Sequence, residues 1–194
     1  RGEFLGGIAD AESLGRVVRG GVRAAESRST AAYRDGRHAK AFPSLGAERT
    51  GPPVVASCRF DDKGIRLREP IQTPDALIVQ DPTLFKAVDI FQGLKPTGYL
   101  LVNSNRRLSE LHIDAVASRL PAGHTITVPA SEIAQKYIGR PLPNAVLLGA
   151  FAGLAGLIQL KSVTEAIRDA FPEEIAAANI AAATAAHDAI ALAA

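Results

Sequence analysis

The run D-A-L-I-V-Q at residues 75–80 is the tightest constraint on the fold. Four consecutive apolar residues stand between Pro74 and the Asp81-Pro82 pair. So short a run, with no polar residue at alternate positions, suits a strand covered on both faces. Covered strands belong to parallel sheets, where crossover helices occupy the faces. G-Y-L-L-V-N-S (98–104) repeats the pattern with a polar tip, and H-T-I-T-V-P-A (124–130) reads as a third strand. Helical segments alternate with them. Asp81 suits an N-cap with Pro82 at the first helical position. L-S-E-L-H-I-D-A-V-A-S-R-L (108–120) has amphipathic spacing, and A-S-E-I-A-Q-K-Y-I-G (130–139) closes on Gly139. Pro143 opens a helix to about residue 159, 163–171 forms a short one, and Pro172 opens an alanine-rich helix to about 192.

Towards the N-terminus the signals are weaker. Residues 9–34 read as partly helical, although Gly15, Gly20 and Gly21 oppose it. A loop over 35–53 follows, stiffened by Pro43, Pro52 and Pro53. P-V-V-A-S-C-R-F-D-D (53–62) reads as a strand, and Asp61 to Gly64 as a hairpin turn into I-R-L-R-E (65–69). E-F-L-G-G-I-A-D-A-E-S-L shows no strand alternation. The expected class is α/β: a single domain over 1–194, with a mostly parallel sheet flanked by helices, a β-hairpin and C-terminal helices. Ligands of such sheets gather beyond the C-terminal strand ends. Asp81, Asn103 and Ser104 stand at two of them.

The 194 residues suffice for one core. A net charge of +2 does not suggest nucleic acid, which calls for a concentrated basic patch. Arg16, Arg19, Arg23, Arg28, Arg34, Arg37 and Lys40 do cluster within the first forty residues. They fit either an anionic neighbour or a solvated helix face. Cys58 is the one cysteine. It permits no disulfide within the chain, and neither an iron–sulfur cluster nor a thiolate zinc site can be built from this chain alone. Its V-V-A-S-C-R-F setting suits a buried, inert thiol, and a reducing cytoplasm fits. No apolar run reaches the ~20 residues that cross a membrane; A-V-L-L-G-A-F-A-G-L-A-G-L-I (145–158) is shorter and broken by glycine. The chain opens on Arg1 without a signal-peptide pattern and contains no methionine, so its start reads as trimmed.

Tests for chemistry return little. G-x-S-x-G is absent, and Ser44 lies in P-S-L-G. His38, His112, His124 and His187 lack metal-ligand spacing; His112 reads as a surface or core-edge residue, and His124 starts a strand. Loop carboxylates are Glu48, Asp61, Asp62, Asp75 and Asp81. Glu48 beside Arg49 reads most simply as a local or interface ion pair. No self-sufficient catalytic set emerges, and a chain that folds well without one is often a subunit of something that does the chemistry. G-R-V-V-R-G-G (15–21) offers a glycine loop that suits phosphate, a weak signal without a strand before it.

Several segments, in order, resemble the gamma subunit or gamma domain of 2-oxoacid:ferredoxin oxidoreductases. They are F-P-S-L-G-A-E-R-T-G-P-P-V (42–54), D-A-L-I-V-Q-D-P (75–82), L-L-V-N-S (100–104) and G-R-P-L-P-N-A-V-L-L-G-A (139–150), with A-I-R-D-A-F-P-E-E-I-A-A-A-N-I-A-A (166–182) similar to the family's closing helices. Gly15, Arg16 and Gly20 fall on the family's G-R-G-G-Q-G, while Val17, Val18 and Arg19 depart from it. Residues 1–33 therefore form a divergent N-terminal region.

The resemblance implies a complex in which alpha and beta subunits hold thiamine diphosphate and Mg. Iron–sulfur clusters lie there or in a ferredoxin-like delta subunit. A 2-oxoacid is decarboxylated, electrons pass to ferredoxin, and the acyl group goes to coenzyme A. The gamma piece covers the active site and helps to receive coenzyme A. The chain itself is then expected to carry no catalytic residue, metal or cofactor, and to bind neither nucleic acid nor membrane. Glu48, Arg49, Asn103, Ser104, Gly15, Arg16 and Gly20 become the residues that face coenzyme A or the active site. The F-P-S-x-G-x-E-R form resembles the pyruvate type, with aryl 2-oxoacids also open. Two other readings remain: a scaffold module with a decayed glycine loop and no coenzyme A contact, and a free-standing nucleotide-binding α/β protein.

Overall fold

The computed structural model describes residues 2–6, 29–36, 38–44, 55–62, 65–66, 71–86 and 89–192. Its frame is a six-stranded sheet built from β1 (Gly2–Gly6), β2 (His38–Ser44), β3 (Val55–Asp61), β4 (Ala76–Val79), β5 (Tyr99–Asn103) and β6 (Thr125–Val128). The spatial order is β2-β3-β1-β4-β5-β6. β1, β4, β5 and β6 run parallel, whereas β3 lies antiparallel to both β1 and β2. The helices are α1 (29–34), α2 (Asp114–Ala117), α3 (Ala130–Ile138), α4 (Asn144–Ala155), α5 (Leu160–Ala170) and α6 (Glu173–Ala191). The α/β class and the largely parallel sheet are as expected.

β4 and β5 divide their side chains by strand periodicity. Ala76, Ile78 and Leu101 join the helices in one core cluster, and Leu77, Val79, Leu100 and Val102 face the other. All seven are at most 1% exposed, so both faces are covered, as the unbroken apolar runs required. On the first face α4 lies between the sheet and α6. It is buried from Ala145 to Ala152 and has no polar side. That position explains the apolar 145–158 run. Among the described residues no helix is long and apolar enough to cross a membrane. Gly149 and Gly153 let α6 approach. A methyl group at Gly149 would sit 2.1 Å from the Ala183 carbonyl oxygen, and one at Gly153 2.9 Å from that of His187. The two contacts advance together along the chain, so α4 and α6 run in the same direction.

Four sequence expectations change. β1 occupies part of the stretch that showed no strand signal. It is only five residues long, and β3 and β4 hold it from both sides. β2 reaches Ser44, well inside the expected loop 35–53. It forms one edge of the sheet, where Pro43 is tolerated because it has no N–H to donate. The antiparallel partner of β3 is therefore β2 and not 65–69. β3 has both sides occupied, and residues 65–66 lie outside any strand. The continuous helix over 108–120 is instead a 3-10 turn (Ser109–Leu111), a left-handed His112 (φ 57°) and the short α2. Leu111 and Ile113 are both buried in the second cluster. Two residues apart they would point about 200° apart on a helix, so the chain breaks at His112 to bury both.

Candidate functional site

The register of the sheet sends many chain crossings to one edge. β4 ends at Val79 and β5 at Asn103 on that edge, and β6 ends there at Val128 beside Asn103. Gly6, the last residue of β1, pairs with Ile78. Because β2 and β3 are antiparallel, Ser44 and Val55 pair there too. Residues 45–54 therefore leave and rejoin the sheet at the edge where the parallel strands end. From β2 to β5 is about 19 Å at the usual spacing of neighbouring strands. Of the residues expected to face a ligand, Gly15, Arg16, Gly20, Glu48 and Arg49 lie outside the described residues. Asn103 and Ser104 lie within them.

Asn103 is bound on three sides. Its amide nitrogen donates to the Gln80 carbonyl and to Ser131 Oγ, each at 2.9 Å, and its Oδ1 accepts the Ser131 backbone N–H at 3.1 Å. It thus ties the ends of β4 and β5 together and caps α3, whose N-cap Pro129 makes no side-chain cap bond. Gln80 adds a second rung through Nε2, which donates to Asn144 Oδ1 at 2.9 Å and brings the start of α4 to the same place. Ser104 continues the edge. Its N–H donates to the Val128 carbonyl and its Oγ accepts the Arg106 N–H at 3.0 Å. Beyond it Asn105 donates to Glu132 Oε1 at 2.6 Å, and Glu110 Oε2 accepts the Arg107 N–H at 2.7 Å. Asp81 is the expected cap: its Oδ1 accepts the N–H of Thr83 at 2.9 Å and its hydroxyl at 2.7 Å. The helix it opens is a single 3-10 stretch, Pro82–Lys86.

Other candidates have structural duties. His124 lies at the opposite edge, stacked on Tyr99 with ring centroids 4.1 Å apart and Nδ1 3.2 Å from the Thr97 and Gly98 carbonyls. Cys58 is buried, as expected. Of the basic cluster, Lys40 donates to the Ile65 carbonyl at 3.0 Å. Arg34 pairs with Asp169 and, at 3.4 Å, with Glu165 on α5. The hydrogen bond that Arg34 donates to Asp169, with the charges of both carboxylates, holds the guanidinium proton more tightly than usual. Next to it Asp35 accepts the Gln159 N–H at 2.9 Å and the Ser162 hydroxyl, closing α1 onto the start of α5. Asp35, Gln80, Ser131 and Asn144 were not singled out from the sequence. Two of them, Gln80 and Asn144, lie inside the family-like segments, but their partners are far along the chain. Among the described residues no three His, Cys, Asp or Glu side chains are grouped as a metal site requires.

The model for the pyruvate ferredoxin/flavodoxin oxidoreductase family matches residues 15–189. The chain belongs to that family. It is 44% identical to pyruvate synthase subunit PorC of Methanosarcina barkeri over 79% of this chain and 81% of that one. It is 38% identical to the pyruvate/ketoisovalerate oxidoreductases common subunit gamma of Thermococcus kodakarensis, over 87% and 90%. The crystal structure of pyruvate oxidoreductase subunit PORC from Thermotoga maritima superposes with a TM-score of 0.73 at 29% identity, covering 96% of this chain and 94% of that one. The resemblance carried by the FPSLGAER, QDP, VNS and PLPN segments thus extends along most of the chain, and the fold is that of the PORC subunit.

Proposed function

We propose that this chain is the gamma subunit of a thiamine-diphosphate-dependent 2-oxoacid:acceptor oxidoreductase, which converts a 2-oxoacid and coenzyme A to acyl-coenzyme A and passes the electrons to ferredoxin. In that complex it covers the active site and helps to receive coenzyme A, beside alpha and beta subunits and a ferredoxin-like delta subunit in the cytoplasm. The supporting observation is the shared edge. The ends of β1, β4 and β5, and both anchors of 45–54, meet where parallel sheets receive ligands. When bound, thiamine diphosphate supplies the carbanion chemistry that decarboxylation needs. The residues here do not fit the redox groups: one cysteine cannot ligate an iron–sulfur cluster, and the described residues form no metal site. We assign those groups to the partner subunits.

Within this reading Arg49 and Glu48 meet the ligand or the partner, with Arg49 as a forked donor to phosphate or carboxylate. Ser104 lines the edge. Asn103, saturated by Gln80 and Ser131, acts by holding that edge in shape. Gly15, Arg16 and Gly20 complete the set of residues proposed to face coenzyme A. The choice of 2-oxoacid, pyruvate or an aryl one, lies in other subunits; that a relative is named as common to pyruvate and ketoisovalerate oxidoreductases supports this. The test is Arg49→Ala in the assembled complex. We expect about a tenfold rise in KM for coenzyme A, or weaker subunit association, with the domain still folded. Unchanged kinetics and association would remove the assignment.

Val17 and Val18, which stand where the family has glycine, favour a second reading: a scaffold that makes no coenzyme A contact. Calorimetric titration of the complex with coenzyme A separates the two, since a scaffold gives equal affinity for wild type and Arg49→Ala.

A further inference from the structure

Among the described strands β2 pairs with β3 alone, so the backbone groups on its outer side meet no described strand. A cavity of about 320 Å³ lies there, lined by Tyr33, His38, Ala39, Lys40, Ile65 and Arg66. Its lining comes from both faces of the sheet. Tyr33 stands on α1, and Ala39 packs against the same helical cluster. His38 and Lys40 occupy the alternate positions and face the other way, where Lys40 donates to the Ile65 carbonyl at 3.0 Å. A cavity that touches both faces opens past the margin of the sheet, along β2 itself. His38 pairs with Asp61 and Ser44 with Val55, at opposite ends of β2. The cavity therefore lies about 20 Å along the strand from the end where β4 and β5 finish.

We propose that β2 receives an acidic, extended segment of another protein chain as an added strand, with two acids flanking one apolar residue. The inference is independent of the coenzyme A reading. The occupant follows from the lining, because a strand laid against β2 alternates its side chains as β2 does. Its first and third residues meet His38, Lys40 and Arg66; the one between meets Ala39 and Tyr33, which is 70% exposed. Arg66 is exposed and, among the described residues, has no hydrogen-bond or ion-pair partner. Lys40 spends one of its three donors on Ile65 and keeps two. Asp61 and Asp62, the acids that close β3, each have a partner already. Lysine on an edge strand repels strands that bring no countercharge. An acid at the facing position turns that guard into selectivity.

The probe is a fluorescent peptide with a Glu-Val-Glu core, titrated into the whole purified chain at low salt and followed by anisotropy. Binding should slow amide exchange over 38–44. A Lys-Val-Lys core should bind at least about tenfold more weakly, and Arg66→Glu should weaken the acidic peptide by about the same factor with the melting temperature unchanged. Lys40→Gln keeps a donor for the Ile65 carbonyl while removing the charge, and should also weaken binding. A peptide N-methylated along its backbone should lose about tenfold, because it cannot complete the ladder. Equal binding of the methylated peptide, or its displacement by inorganic phosphate, overturns the proposal in favour of a simple anion site. Equal binding of the acidic and basic cores, no binding at all, or protection away from 38–44 overturns it outright. If protection of 38–44 instead rises with the concentration of the chain alone, a second copy covers β2 and the acidic partner is wrong.

Discussion

Asn103 shows how a residue at the strand ends can act by tying its neighbours together. Its three hydrogen bonds go to Gln80 and Ser131, so Asn103→Ala leaves two donors or acceptors at Ser131 and the Gln80 carbonyl without their partner. We expect a loss of about 1–3 kcal/mol, read from the urea midpoint of the purified chain. Ser104→Ala removes only an acceptor for an exposed N–H and should cost well under about 1 kcal/mol. Equal losses for the two variants would contradict the latch. The sequence showed that Asn103 closes a strand, but its partners lie 23 and 28 residues away, and no local pattern carries them. Asp81 was legible for the opposite reason: its partner Thr83 is two residues on. The same contrast explains Arg34 and Asp35. They look like members of a basic, turn-ending stretch and are in fact joined to α5, more than a hundred residues later.

At the level of elements, α4 and α6 decide how the helical layer packs. Gly149 has no room for a methyl group, since the Ala183 carbonyl would stand 2.1 Å from it. Gly149→Ala must push the helices apart. The overpacking costs about 3 kcal/mol, against the roughly 1 kcal/mol that alanine regains in helix propensity. Gly153→Ala, at 2.9 Å, should cost less. Thermal melting of the two variants checks the order; a neutral Gly149→Ala would mean that α6 can slide. Long apolar or capped segments were readable as elements: β4, β5, β6, α3, α4, α5 and α6 stand where their patterns put them. β1 and β2 were not, because their strand character comes from neighbours. β1 is five residues held from both sides, and β2 contains a proline that only an edge strand accepts. The 108–120 segment has the right period over part of its length, yet the need to bury both Leu111 and Ile113 overrides it.

For the whole molecule, the decisive feature is the convergence of strand ends on one side of the sheet. β1, β4 and β5 deliver their C-termini there, and the two antiparallel strands bring Ser44 and Val55 to the same side. From the sequence, Asp81 and Asn103-Ser104 could be placed at strand ends, but the return of Ser44 and Val55 to the same end of the sheet depends on a strand order that no spacing reveals. Hydrogen exchange of the isolated chain against the chain in its assembled complex tests this directly. We expect slowed exchange in peptides covering 45–54, 80–83 and 103–107. Protection confined to the other end of the sheet, at 61–62, 96–98 and 121–124, would contradict a partner-facing edge at the C-termini of the parallel strands.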